Sequence, residues 1–225
     1  CRQLSNSYYR EKCFKSDWTD EKLKLKLNAL KRVILRDKDK LPDILALVEI
    51  ENENVAQKLA EILGYKNYFV TKGPDKRGID LGIFYNSGSE IFLRYKKEHI
   101  LNGKYFKGKP TRNIFEVNFL VMGKYKLSIY INHWPSQNNP SEVRLLAAKL
   151  LKKKIIFKKL LEPKSHIIAL GDFNVINGDY PHSLNSKIFN GFFALSDTRE
   201  IFSSLRNIPR EIQLSRPMGT YFYPK

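Results

Sequence analysis

The stretch His166-Ile-Ile-Ala-Leu-Gly-Asp-Phe-Asn-Val-Ile176 constrains this chain most, because an apolar run breaks off abruptly into glycine, aspartate, a hydrophobe and asparagine. Ile167 to Leu170 has no polar alternation and reads as a strand buried on both faces, with its polar residues gathered at the exit. Residues two apart on an extended chain point the same way. Asp172 and Asn174 would then present a carboxylate and a carboxamide to one point, while Phe173 turns into the core. Such a point suits a hard cation or a water. The alternative is a strand running into an ordinary Asx turn, since Asp and Asn are also favoured turn residues.

Two further segments end in the same way. Asp43-Ile-Leu-Ala-Leu-Val-Glu49-Ile-Glu51-Asn delivers Glu49 at the end of an apolar run, and Tyr125 to Ile131 is followed by Asn132-His133-Trp-Pro-Ser136. Ligands of open α/β sheets collect at such strand ends. A carboxylate at Glu49 suits magnesium, which takes hard oxygen donors and needs only one or two of them beside water and substrate phosphate. Glu51, two residues on, is the rival, with service as a first-turn acid of the next helix as its other reading. His133 brings a group whose ordinary titration range suits proton transfer near neutrality.

Elsewhere helical and extended patterns alternate. Thr19 as cap, Asp20 and Glu21 in the first turn, and Leu23, Leu27, Leu30 and Ile34 at four-three-four spacing predict a helix. A second helix turns Val55, Leu59 and Ile62 inward and stops at Gly64. Tyr68 to Thr71, Ile79 to Tyr85 and Ile91 to Tyr95 read as strands, and Ile114 to Val121 with Tyr125 to Ile131 as a hairpin. Asn139 as cap, Pro140 at the first position and Glu142 at the third open a helix through about Phe157. Hairpins mixed with helix-separated strands suit two stacked sheets with helices outside. A doubly wound parallel sheet is the runner-up, but consecutive strands with short connections between Tyr68 and Ile131 count against it.

The chain has 225 residues, 42% of them hydrophobic, which is enough for one domain with a substantial core. Its net charge of +17 points to a polyanion such as nucleic acid, because phosphate neutralisation supplies most non-specific affinity. Lys152, Lys153, Lys154, Lys158 and Lys159 also fit the solvated face of a helix, and a proteome-wide lysine bias is a further alternative. Cys1 and Cys13 argue against a disulfide framework, leaving two thiols or one local bridge. No apolar stretch is long enough to span a membrane, and no protein partner is inferable.

The order Leu-Val-Glu49-Ile-Glu-Asn, Asp75-Lys-Arg77-Gly-Ile-Asp80, Asn132-His133-Trp-Pro-Ser136 and Gly171-Asp-Phe-Asn174 resembles the endonuclease/exonuclease/phosphatase superfamily, and most of all its bacterial nuclease-like branch. The resemblance implies a deoxyribonuclease I-like α/β fold, an αββα sandwich of two mixed sheets flanked by helices. It implies a metal-binding role for Glu49, a water-orienting or deprotonating one for Asp172, and a phosphate or metal-water hydrogen bond from Asn174. It also implies that Arg112 contacts substrate phosphate, against the alternative of one more surface cation. Asp80 is expected to orient the His133 ring, with a surface ion pair to Arg77 as the alternative.

Relatives carry an Asn-bearing strand before the first helix and an Asp and a Ser-Asp-His turn after the last motif. The 225 residues are therefore expected to be an incomplete single domain, inactive alone. The expected activity of the whole is magnesium-dependent phosphodiester hydrolysis, with Mn2+ or Ca2+ as substitutes and DNA or RNA as substrate. A lipid or inositol-phosphate phosphoesterase is the rival, and a non-catalytic nucleic-acid-binding remnant is the rival of another class. A secreted or cell-envelope location is preferred to a cytoplasmic one.

Overall fold

The computed structural model describes residues 18–35, 41–75, 78–87, 90–101 and 112–175, with isolated positions before residue 18, all within one compact unit. Cys1, Cys13, Arg77, His182 and Asp197 lie outside the described residues. The elements run α1 (Asp20–Ile34), β1 (Ile44–Ile50), α2 (Glu53–Leu63), β2 (Asn67–Val70), β3 (Asp80–Tyr85), β4 (Ile91–Ile100), β5 (Asn113–Val121), β6 (Tyr125–His133), α3 (Ser141–Leu161) and β7 (His166–Asp172). They build two sheets, one ordered β1-β3-β2 and one ordered β4-β5-β6-β7. The first is antiparallel among the described strands, and the second becomes mixed where β7 runs parallel to β6.

Strand alternation makes the layers. Leu81, Ile83 and Tyr85 of β3 face Phe115, Val117 and Phe119 of β5 and Ile129 and Ile131 of β6 in the core between the sheets. Phe84 points the other way, into a second cluster where Leu27 of α1 and Ala56, Leu59, Ala60 and Leu63 of α2 cover the first sheet. The Thr19 cap holds, its hydroxyl accepting from the Lys22 amide, and Gly64 ends α2 in the left-handed conformation. The acid that opens α2 is Glu53, behind an Asn52 cap, so Glu51 stands before the helix.

The far face of the second sheet departs from a sequence reading. Glu116, Asn118 and Ser128 are buried there, and Ser128 Oγ donates to Asn118 Oδ1 at 2.6 Å. His99 Nε2 lies 2.7 Å from Glu116 Oε2. Lys158, expected on the solvated side of α3, is buried instead, donating to the Tyr95 hydroxyl at 2.9 Å and pairing with Glu162 at 3.4 Å. The helix therefore continues through Leu161, one turn beyond expectation, and β4 runs on to Ile100 rather than stopping at Tyr95.

Burial pulls the Glu116 carboxyl upward, but hydrogen bonds from His99, Asn118 and Tyr95 outweigh it and hold the group at about 2. A carboxylate depressed on folding stabilises the native state above its unfolded value of 4.5 and loses that contribution as pH falls towards 2. Chemical denaturation should therefore show a loss of about 3 kcal/mol across this window. Glu116→Gln should flatten that part of the profile, and an unchanged slope in the variant would assign acid sensitivity to other groups.

Candidate active site

Three strand ends converge. β6 and β7 are neighbours in parallel register, with His133 directly opposite Asp172. The end of β1 belongs to the other sheet, and a bulge there brings Glu49 across. The pairing with β3 passes from Val48↔Leu81 to Ile50↔Asp80, leaving Glu49 out of the ladder with φ of 62°. Positive φ is uncommon for a residue with a side chain, and bulges next to sites re-aim the residue they carry. The Glu49 carboxylate reaches 3.7 Å from His133 Nε2 and is 65% exposed, whereas His133 is buried.

Burial lowers the His133 pKa from its usual value, and the nearby Arg112 charge lowers it further, against opposing contributions from Glu49, Asp172 and Asp75. Its Nδ1 is buried with no hydrogen-bond partner among the described residues. Unsatisfied buried nitrogen is costly, and within a site it marks a place for a ligand atom or water.

The Asn-His-Trp-Pro-Ser segment clamps β7. Asn132 Nδ2 donates to the Leu170 carbonyl at 3.3 Å, and the Trp134 amide donates to the Asp172 carbonyl at 2.9 Å. Trp134 is fully buried, donates from Nε1 to Asn132 Oδ1, and meets the Phe173 ring edge-on at 4.9 Å. Phe173 thus turns inward as expected.

Asp172 and Asn174 do not simply share one direction. Gly171 and Asn174 both take positive φ, and the Asn174 amide donates to Asp172 Oδ1 at 2.9 Å, which is the Asx-turn alternative. Asn174 Nδ2 donates to the Trp134 carbonyl at 3.0 Å, and its own carbonyl accepts from Gln137. β7 as a whole is exposed or half-buried rather than buried on both faces, with Ile168 45% exposed, and among the described strands it pairs only with β6.

Arg112 is buried, donating from one terminal nitrogen to Asp75 Oδ2 at 2.6 Å. Asp80 Oδ1 accepts from Thr71 Oγ1 at 2.9 Å and from the Gly73 amide at 2.7 Å, so its hydrogen bonds brace the turn after β2. Burial raises its pKa against those two hydrogen bonds.

Arg144 escaped the sequence reading. It sits in the first turn of α3, where a cation is ordinarily solvated, yet it is buried and donates to the carbonyls of Ser136 and Asn139 and to Gln137 Oε1. It thereby shapes the loop whose Gln137 holds Asn174. The expected Asn139 cap does not form, because the Asn139 carboxamide donates back to Ser136.

Among the described residues no three His, Cys, Asp or Glu side chains cluster closely enough to hold a metal by themselves. Magnesium does not require that many, and the exposed Glu49 carboxylate at a strand end is the kind of donor it uses.

The sequence profile of the Endonuclease/Exonuclease/phosphatase family matches residues 6–223. The chain belongs to this family. No curated protein matches its sequence. Among solved structures, the human nocturnin catalytic domain superposes with a TM-score of 0.58 at 18% identity, covering 75% of this chain and 63% of that one. TDP2 from Caenorhabditis elegans gives 0.56 at 15%, covering 71% and 45%. A mannosyl-6-phosphatase from Bacteroides thetaiotaomicron gives 0.56 at 18%, covering 75% and 62%. At such identity the likeness shows the fold alone, and it is the deoxyribonuclease I-like α/β fold. The chain spans less than two thirds of the length of each of these structures.

Proposed function

We propose that this domain carries the active site of a magnesium-dependent phosphodiesterase that hydrolyses DNA or RNA. The observation that supports it best is the meeting of Glu49, His133 and Asp172 from three strand ends, in a member of a family that includes nucleases and phosphatases. Asp172, at the exposed end of β7, orients the attacking water and accepts its proton. His133, buried and biased towards its neutral form, lies opposite and exchanges a proton with the phosphate oxygens as charge builds. Glu49 would hold magnesium, which when bound neutralises developing charge on the phosphate.

Arg112 acts through its field. Held by Asp75 and buried, it contributes positive potential at His133 without leaving its partner. Asn174 fixes the Asp172 carboxylate in place through its amide and its hold on Trp134. Asp80 supports the site from behind, through the turn carrying Thr71 and Gly73.

The net charge of +17 supports a nucleic-acid substrate. Binding to a DNA or RNA oligonucleotide should weaken by about three powers of ten or more between roughly 50 and 200 mM salt if about six phosphates are engaged. Salt-independent binding, or turnover of small phosphomonoesters with none of oligonucleotides, would transfer the site to a small-molecule phosphoesterase.

A further inference from the structure

The solvent face of α3 carries a feature that phosphoester hydrolysis does not use. Phe157 stands three and four residues before Leu160 and Leu161, which places the three on one face, and they are 60, 73 and 66% exposed. Lys149 and Lys153 precede them on the same stripe, Lys164 lies in the turn beyond the helix, and all three are exposed. Lys152 and Lys154 flank the stripe, half-buried. From Val143 to Leu161 the helix has no acid. The first acid beyond it, Glu162, is turned to the sheet and engaged by Arg94 at 2.8 Å, Lys126 at 3.6 Å and Lys158 at 3.4 Å.

We propose that this face is a docking surface for a membrane rich in anionic phospholipid, with Phe157, Leu160 and Leu161 entering the interface and the lysines pairing with headgroup phosphates. Three large exposed apolar side chains on one helix face are unusual for a surface that meets only water. Their setting in an acid-free run of lysines is the composition of an interfacial helix. Nucleic acid would engage the lysines but leave the leucines without a partner. A second copy of the chain would oppose like charges across a symmetric contact.

The stripe also lies away from the chemistry. α3 starts near the strand ends that carry His133 and Asp172, and it ends where β7 begins, at the opposite end of the sheet. Docking through its later turns holds the domain at a membrane while the site stays open to a substrate in water.

The test is flotation of the full chain with vesicles of phosphatidylcholine plus phosphatidylglycerol, against phosphatidylcholine alone. Binding is expected only to the mixed vesicles. The combined variant Phe157→Ser, Leu160→Ser, Leu161→Ser should weaken it about tenfold or more with its thermal transition unchanged, because these side chains are exposed. Lys149→Gln with Lys153→Gln should weaken it by a comparable factor. Absent or equal binding to the two vesicle types would overturn the proposal. So would undiminished binding by the serine variant, which would assign attachment to charge elsewhere. A shift of the chain from dimer to monomer caused by the serine substitutions would make a second copy the occupant and overturn it equally.

Discussion

Glu49→Gln and Asp172→Asn are each expected to lower phosphodiester turnover about a thousandfold or more in the active protein carrying this domain, the scale of several kcal/mol of lost transition-state stabilisation. Both substitutions keep size and remove charge. Neither residue is buried, so stability should hardly change. The two losses should differ in kind: excess magnesium should partly rescue Glu49→Gln by mass action and leave Asp172→Asn untouched. Near-normal turnover of either variant would remove that residue from the chemistry, and a common fall in melting temperature would mean that the effect is structural.

Gly171→Ala should be as damaging, from a different cause. Gly171 has φ of 124°, a conformation that side-chain-bearing residues rarely adopt, and a methyl group there would lie 2.0 Å from the Asn132 carbonyl oxygen and 2.8 Å from its nitrogen. Both obstacles are backbone, so no rotamer change relieves them. The end of β7 must move from β6, drawing Asp172 out of register with His133. A loss of about 3 kcal/mol or more in urea denaturation is expected, with turnover reduced alongside it. Retained stability with retained turnover would contradict the packing of β7 on β6.

What the sequence made legible was the carriage of the site. Apolar runs that end in Glu49, in Asn132-His133 and in Asp172 are strands, with their polar residues collected where each run emerges, but the depth of burial was not legible, since β7 carries a continuous apolar pattern and is largely exposed. The helices on the first sheet were equally readable, from the periodicity of Leu23, Leu27 and Leu30 and from Gly64. The bulge was not readable, since nothing in Val48-Glu49-Ile50 marks a positive φ that only pairing with β3 imposes. Arg144 and Lys158 were hidden for a related reason. Their burial depends on acceptors that neither charge nor helical position reveals: for Lys158 a hydroxyl on distant β4, and for Arg144 the carbonyls of the folded loop just before α3. The Asp75–Arg112 and His99–Glu116 pairs join residues far apart in the chain, so local pattern carried no sign of them. Strict alternation failed at Asp172 and Asn174 because Gly171 and Asn174 leave the extended conformation on either side of the aspartate.

Glu49 belongs to one sheet, while His133 and Asp172 belong to the other. Each sheet is held internally by its ladder hydrogen bonds, whereas side chains fix the gap between them: Leu81, Ile83 and Tyr85 pack against Phe115, Val117 and Phe119, with the Arg112–Asp75 pair and the Lys72 amide to Glu98 at the rim. The distance from Glu49 to His133 is therefore a gauge of interlayer spacing. Warming or a cavity such as Phe119→Leu that loosens the layers would be read out first as lost catalysis, while circular dichroism still reports intact strands. Changes to the interior far from any reacting atom thus become a means of tuning this chemistry.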